Sequence, residues 1–224
     1  MTRVVDKTAC GWYNETVMNR GKFIVFEGID GSGKSTQLKM LSKYLQGKGI
    51  PCVTTCEPTD SPFGGLLRAC LTGRLETDER AIAALFAADR MDHLFNPVNG
   101  IEKRLNEGVT VLCDRYYFSS LAYNGEMTDS VWVEELNRPA MEQMRPDLVI
   151  YIELTAEAGM ERVGKRSERE RYETLEKQKK IRERYLRVFE KRAAQESVAV
   201  IKSERDKERT QEKIRAAVNG LFGI

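Results

Sequence analysis

Apolar residues in this chain fall into short continuous runs, separated by longer stretches in which they recur every three or four positions. The runs lie near 22–27, 51–55, 109–113, 147–152 and 198–201; Phe23-Ile24-Val25-Phe26 and Leu148-Val149-Ile150-Tyr151-Ile152 are the clearest. Continuous runs this short predict strands buried on both faces. Between the first two, Leu38, Leu41 and Leu45 give segment 34–46 one apolar helical face, Gly47 and Gly49 end it, and Pro51 opens the return to the sheet. Segment 78–106 reads helical through Ile82, Leu85, Phe86 and Leu94, with Pro97 expected to kink or interrupt it. Segment 207–222 predicts a closing amphipathic helix. Strands joined by helices long enough for crossovers predict parallel pairing with right-handed connections. The expected fold class is therefore α/β, a five-stranded parallel sheet flanked by helices. One domain should span 21–224, preceded by an extension, 1–20, without a clear period.

Composition narrows the class. Of 224 residues, 41% are hydrophobic and 31% charged, a balance that suits a globular protein with a solvated surface. The 36 basic and 34 acidic side chains leave a net charge of only +2, which argues against a nucleic-acid-coating protein, so any phosphate binding must come from local placement of cations. No apolar run approaches the roughly 20 residues of a membrane span. Asp6, Asn14, Glu15 and Asn19 interrupt the first twenty residues, so a secretory signal is not expected and a cytoplasmic location is. Cys10, Cys52, Cys56, Cys70 and Cys113 form a scattered odd set that reads as reduced thiols. Cys52 and Cys56 lack the second pair that a zinc site needs. The single histidine, His93, reads as a helix-surface or contact residue.

The sharpest local signal is Gly28-Ile29-Asp30-Gly31-Ser32-Gly33-Lys34-Ser35, which fits G-x-x-x-x-G-K-[ST]. It follows a predicted strand and opens a predicted helix, the context its mechanism requires. Glycines let backbone N–H groups turn toward phosphate oxygens, and the helix N-terminus adds positive potential. Gly28, Gly31, Ser32, Gly33, Lys34, Ser35 and Thr36 are the candidate ATP-binding residues, with Lys34 reaching the β- and γ-phosphates and Ser35 a ligand for Mg²⁺. This is the signature of the P-loop NTPase fold, which serves GTPases, ATPases, adaptors and small-molecule kinases alike.

Three later segments discriminate among these: Glu57-Pro58-Thr59-Asp60-Ser61-Pro62-Phe63-Gly64, Leu85-Phe86-Ala87-Ala88-Asp89-Arg90, and Asp114-Arg115-Tyr116 through Ala122-Tyr123-Asn124-Gly125. With these residues in this order, and an arginine-rich tract reaching Arg171-Tyr172-Glu173, the sequence from about 21 to 222 strongly resembles the thymidylate kinases. The resemblance implies ATP-dependent phosphorylation of dTMP to dTDP, with Mg²⁺ as cofactor, ATP and dTMP as small-molecule partners, a homodimer, and neither nucleic acid nor membrane as partner. It assigns Asp30, Glu57, Phe63, Phe86, Arg90, Arg115, Ser119, Tyr123, Asn124 and Tyr172 to dTMP. Within that set Phe86 stacks on thymine, Arg90 bonds the base, Tyr123 lies against the deoxyribose, Asn124 offers a polar base contact, and Asp30 lies near the sugar and phosphate; Ser119 or Ser120 helps place the base.

The residues also carry physical readings of their own. Asp114, closing a strand, can hold a Mg²⁺-bound water beside Ser35, and Arg115 can present a cation where two phosphates meet, or the two can be a buried structural pair. Phe86 and Arg90, four apart, share a helix face. They can be a ring and a bidentate donor for a base, or a core Phe and a surface Arg.

The phosphate loop carries Gly31 and Ser32 where some thymidylate kinases carry a cation. The lid, about 162–173, then has to supply it. Arg162 matches the position that packs on adenine, and Arg166 and Arg169 are placed over the phosphates, so the catalytic set reads Asp30, Lys34, Arg115, Arg166 and Arg169. The bland alternative is a solvated charged helix surface over 161–192. One position departs from the family: Cys56 stands where many relatives carry an arginine that grips the dTMP phosphate. Either Arg115 and another cation hold the monophosphate, or the acceptor is another deoxynucleotide or a deoxynucleoside. A GTPase reading lacks its [NT]-K-x-D signature.

Overall fold

The computed structural model describes residues 20–164 and 174–224. The strands are β1 (Phe23–Glu27), β2 (Cys52–Cys56), β3 (Thr110–Asp114), β4 (Leu148–Glu153) and β5 (Val198–Lys202). They form one parallel sheet in the order β2-β3-β1-β4-β5. Every strand lies within two residues of its predicted place. All five β1 residues are buried, because β1 sits between β3 and β4 and has helices on both faces.

The period of two divides β1 between two cores. Ile24 and Phe26 pack with Leu38, Leu41 and Leu45 of α1 (Lys34–Gly47) and with Ile214 and Val218 of the closing helix (Lys207–Phe222). Phe23 and Val25 point the other way, into a larger cluster with Tyr116, Tyr117, Phe118, Tyr185 and Phe189. The helices on that side are α3 (Glu79–Phe95), α4 (Ile101–Asn106), α5 (Tyr117–Met127), α6 (Ser130–Gln143) and α8 (Leu175–Arg192). Two further helices among the described residues are α2 (Pro62–Leu71) after β2 and α7 (Ala156–Val163) after β4. The closing helix is α9.

The expected interruption at Pro97 is present. Its ring excludes helical backbone at Asn96, which turns out to ψ 123°, so one predicted helical tract becomes α3 and α4. In the charged tract, Gln178, Ile181, Tyr185, Phe189 and Arg192 of α8 recur at three and four residues as a buried stripe; Arg182 and Arg184 are part-buried against Glu153 and Glu126, and most of the other charges face outward. Two members of that stripe, Gln178 and Tyr185, reach the site described next. Among the described residues no helix is long and apolar enough to cross a membrane.

Candidate active site

The C-terminal ends of β1 and β3 and the N-terminus of α1 converge on a cavity of about 680 Å³, within the range of small-molecule sites. The phosphate loop forms its floor. At Gly31, φ is +78°, and a Cβ there would lie 2.4 Å from the carbonyl oxygen of Gly159 in α7, so this turn admits only glycine. Gly33, also left-handed, then leads into α1. Lys34 folds back over the loop, its Nζ donating to the carbonyls of Gly28 and Ile29 at 3.0 Å each. Burial pushes its pKa down to about 8. Without a ligand its charge is therefore lost as pH rises through that value, and an anionic phosphate would restore it.

Beside the loop, the Ser35 hydroxyl donates to Asp114 Oδ2 at 2.5 Å, while Asp114 Oδ1 is buried without a partner among the described residues. Two hard oxygen donors, one unsatisfied, suit a hydrated Mg²⁺. No three His, Cys, Asp or Glu side chains converge among the described residues. A cation here would accordingly draw its other ligands from water and phosphate.

Arg115 follows directly and has φ +73°, a left-handed backbone that costs a non-glycine residue about 1–2 kcal/mol. Its surroundings hold it there. The Arg115 N–H donates to Phe26 O at 2.9 Å, and the fully buried Glu27 carboxylate accepts from the backbone N–H groups of Tyr116 (2.8 Å) and Ser119 (3.2 Å) and from the hydroxyls of Ser119 (2.7 Å) and Tyr185 (2.8 Å). Burial raises the Glu27 pKa against those bonds and the Arg115 charge. The Arg115 guanidinium pairs with Asp30 and donates to Ser119 Oγ at 3.2 Å, 5.0 Å from the Tyr123 ring centre. Asp30 also accepts from the Tyr123 hydroxyl at 3.2 Å. Burial acts to raise its pKa, but the Arg115 and Lys34 charges and bonds from Gln178 and Tyr123 outweigh it and hold the carboxyl below its ordinary value.

Farther along the cavity stand Phe86, Arg90, Ser120 and Asn124. Arg90 does not present the free bidentate fork that its spacing suggests. It is 1% exposed, so its donors must find partners inside the protein. Nε and Nη2 bond Glu57 Oε2 at 2.9 and 2.5 Å; Nη1 bonds Ser120 Oγ at 3.1 Å and Asn137 Oδ1. One N–H of Nη2 is left for a ligand. Glu57, assigned from sequence to the acceptor, is thus chiefly the counter-ion of Arg90, and its Oε1 lies 3.1 Å from His93 Nδ1. His93, in contact with Thr55 on its other nitrogen, is a contact residue as its type suggested. Arg90→Ala is expected to lower kcat/KM for the acceptor roughly ten- to a hundredfold with little change for ATP. The melting temperature should drop as well, because buried Glu57 loses the guanidinium and keeps only its His93 contact. Steady-state kinetics with each substrate varied, alongside thermal melts, check both.

The cavity brings together Asp30, Gly31, Ser32, Gly33, Lys34, Ser35, Thr36, Glu57, Phe86, Arg90, Asp114, Arg115, Ser119, Tyr123, Asn124 and Arg162. Three of their polar atoms, Ser32 Oγ at the phosphate loop, Asp114 Oδ1 beside it and Asn124 Nδ2 at the far end, are buried without partners among the described residues, as expected where a ligand completes the wall. Arg162 extends from α7 to Gly31 O and Ser203 Oγ, 3.2 Å from each. Gly28 lies behind the lining, its carbonyl bonded to Lys34. Phe63 is not in the wall: it sits on α2, 40% exposed. Arg166, Arg169 and Tyr172 lie outside the described residues.

Sequence reasoning missed Arg68. This residue of α2 lines the cavity, its Nη1 donating to Thr59 O at 2.6 Å, close to the half-exposed Cys56 at the end of β2. The signal was available in the helical period, which puts Arg68 three residues before Leu71 on the same face. Ser203, Glu204 and Arg205 of the turn after β5, and Lys207 at the start of α9, were also missed, because they belong to no motif.

A phosphate loop between the central strand of a parallel sheet and α1, with Lys34 and Ser35 at its end, defines a P-loop nucleotide-binding protein. Comparison with known proteins makes this narrower. The family model for thymidylate kinase matches residues 26–214. A Thermococcus gammatolerans protein named "Probable thymidylate kinase" is 42% identical over 180 residues, 76% of this chain and 84% of that protein. Its Thermococcus kodakarensis namesake is 38% identical over 211 residues, 90% and 98% of the two chains, and the "Thymidylate kinase" of Pelotomaculum thermopropionicum is 41% identical over 174 residues, 75% and 79%. The chain belongs to the thymidylate kinase family.

Proposed function

We propose that the chain phosphorylates dTMP to dTDP by direct in-line transfer of the γ-phosphoryl group of ATP. The observation that carries this reading is the continuity of one cavity, from the phosphate loop and Lys34, past the Arg115–Asp30 pair, to Phe86 and Arg90. ATP on the loop and a monophosphate whose base reaches Phe86 would meet at Lys34 and Arg115. Those two cations would oppose the charge that builds on the transferring group. The dTMP phosphate is already an anionic nucleophile, so no general base is needed. Arg68 supplies the cation that Cys56 does not, beside Arg115, for the acceptor phosphate. The Tyr123 hydroxyl, tied to Asp30, would crowd a ribose 2′-OH and favour a deoxynucleotide. Phe86 offers a ring face to the base, and the remaining Arg90 N–H and Asn124 Nδ2, without a partner among the described residues, offer donors to its carbonyl edge.

Ser35 and Asp114 would hold Mg²⁺, which when bound neutralises charge on the β- and γ-phosphates. Arg162 would pack on adenine. Arg166 and Arg169 would complete the donor side. The same reading makes the protein a cytoplasmic homodimer. Free thiols at Cys52, Cys56, Cys70 and Cys113 suit a reducing compartment, and exposed Phe63 and Leu66 give α2 an apolar surface for a partner copy.

ADP release from ATP and Mg²⁺, measured with a panel of nucleoside monophosphates and with thymidine, tests the acceptor. Turnover with dTMP well above that with UMP, CMP and thymidine is expected. Preference for thymidine would make the chain a nucleoside kinase instead.

A further inference from the structure

Gln178 and Tyr185 lie seven residues apart, two turns along one face of α8, and both are buried at the catalytic end of the sheet. Gln178, 1% exposed, addresses Asp30 with both ends of its amide. Its Oε1 accepts from the Asp30 backbone N–H at 3.3 Å, and its Nε2 donates to Asp30 Oδ2 at 3.0 Å. The amide can sit only this way round, because the reverse would set an oxygen against a carboxylate. A single side chain therefore fixes both the main chain of the phosphate loop at its second variable position and the rotation of the carboxylate there. The other oxygen of that carboxylate, Oδ1, carries the Arg115 guanidinium. Among the described residues, the titratable groups facing Asp30 are Arg115 from the turn after β3, Tyr123 from α5 and Lys34 from α1. The loop is also held at α7, where Gly31 and Gly159 pack backbone to backbone.

We infer that Gln178 is a positioning residue for phosphoryl transfer: by clamping the Asp30 backbone and carboxylate together, it sets where Arg115 stands when the two phosphates meet. This rests on the reading that Asp30 and Arg115 form the junction between donor and acceptor. Nothing in the local sequence marks Gln178, which sits in a charged helix 148 residues from its partner.

Two substitutions of similar volume test it. Gln178→Met fills the same space without an amide. Gln178→Glu keeps the acceptor for the Asp30 N–H and puts an oxygen where the donor was. kcat and KM are measured for both substrates from about pH 5.5 to about 8.5, with melting temperatures, and with exposed Glu183→Ala on α8 as the control expected to match wild type. Both variants should lose roughly ten- to a hundredfold in kcat, as a small misplacement of a catalytic group does, with KM for ATP nearly unchanged. Their pH trends should be opposite. The Gln178→Met deficit grows as pH falls, because Asp30 has lost a donor that favours its ionised form. The Gln178→Glu deficit shrinks, because the introduced carboxyl, forced to share a proton with Asp30, can then donate. A residue that merely fills space would give parallel profiles, and parallel profiles, or kcat within twofold of wild type, overturn the inference. If one variant fails to melt cooperatively, the pH trend of the other decides. A wild-type protein without dTMP-dependent turnover overturns the functional reading and this inference with it. Wild-type turnover matched by both variants at every pH overturns the inference alone.

Discussion

Arg115→Ala is expected to lower turnover about 10³-fold, the scale of losing a cation that acts on the transferring phosphoryl group. Arg115 stands where the phosphate loop meets the acceptor half of the cavity, paired with Asp30 and bonded to Ser119. Removing it also leaves the half-buried Asp30, beside Tyr123, with one fewer counter-charge, so a modestly lower melting temperature should accompany the kinetic loss. Arg115→Lys separates the two effects. It keeps a charge near Asp30, and hence much of the stability. It cannot reach Asp30 and Ser119 together, so turnover should stay far below wild type. Turnover of Arg115→Ala within tenfold of wild type would remove Arg115 from the reacting centre.

The second large effect concerns the donor side. The phosphate loop carries Gly31 and Ser32 between its first glycine and Gly33-Lys34, so Lys34 is the loop's one cation. On the reading proposed above, the rest of the positive charge comes from the arginine-rich tract. Arg166→Ala with Arg169→Ala should reduce turnover about 10³-fold or more, while nucleotide affinity changes little, because a cation engaged chiefly in the transition state adds little to ground-state binding. Equilibrium titration with a non-hydrolysable ATP analogue beside steady-state kinetics gives both quantities. Near-normal turnover in the double variant would make these arginines solvated surface.

The parts of this molecule governed by local rules were legible in its sequence. Strand positions showed as apolar runs, the α1 face as Leu38, Leu41 and Leu45, the break after α3 as Pro97, and the phosphate loop as glycines at fixed spacing; burial on both faces, expected of every strand, holds for the inner three and fails at the sheet edges, where Val53 of β2 and Val200 of β5 are exposed. What was not legible depends on partners far apart along the chain. Phe86 and Arg90 were read correctly as neighbours on a helix face. That Arg90 is buried and mostly satisfied internally depends on Glu57 and Asn137, 33 and 47 residues away. Phe63 was assigned to the acceptor by the resemblance, but α2 starts at Pro62 and its rotation turns Phe63 outward and Arg68 inward. Gln178 was hidden for the same reason: a polar residue in a charged helix has no periodic signature until the sheet brings Asp30 beside it.

The account stands or falls on a direct transfer between two substrates held in one cavity, and the stereochemistry of the transferred group reports on that step. ATP made chiral at the γ-phosphorus, turned over with dTMP, should give dTDP with inverted configuration at that phosphorus, the outcome of a single in-line displacement with no phosphoenzyme. Retention would require two successive displacements, and would contradict a site in which Lys34 and Arg115 bring the two phosphates face to face.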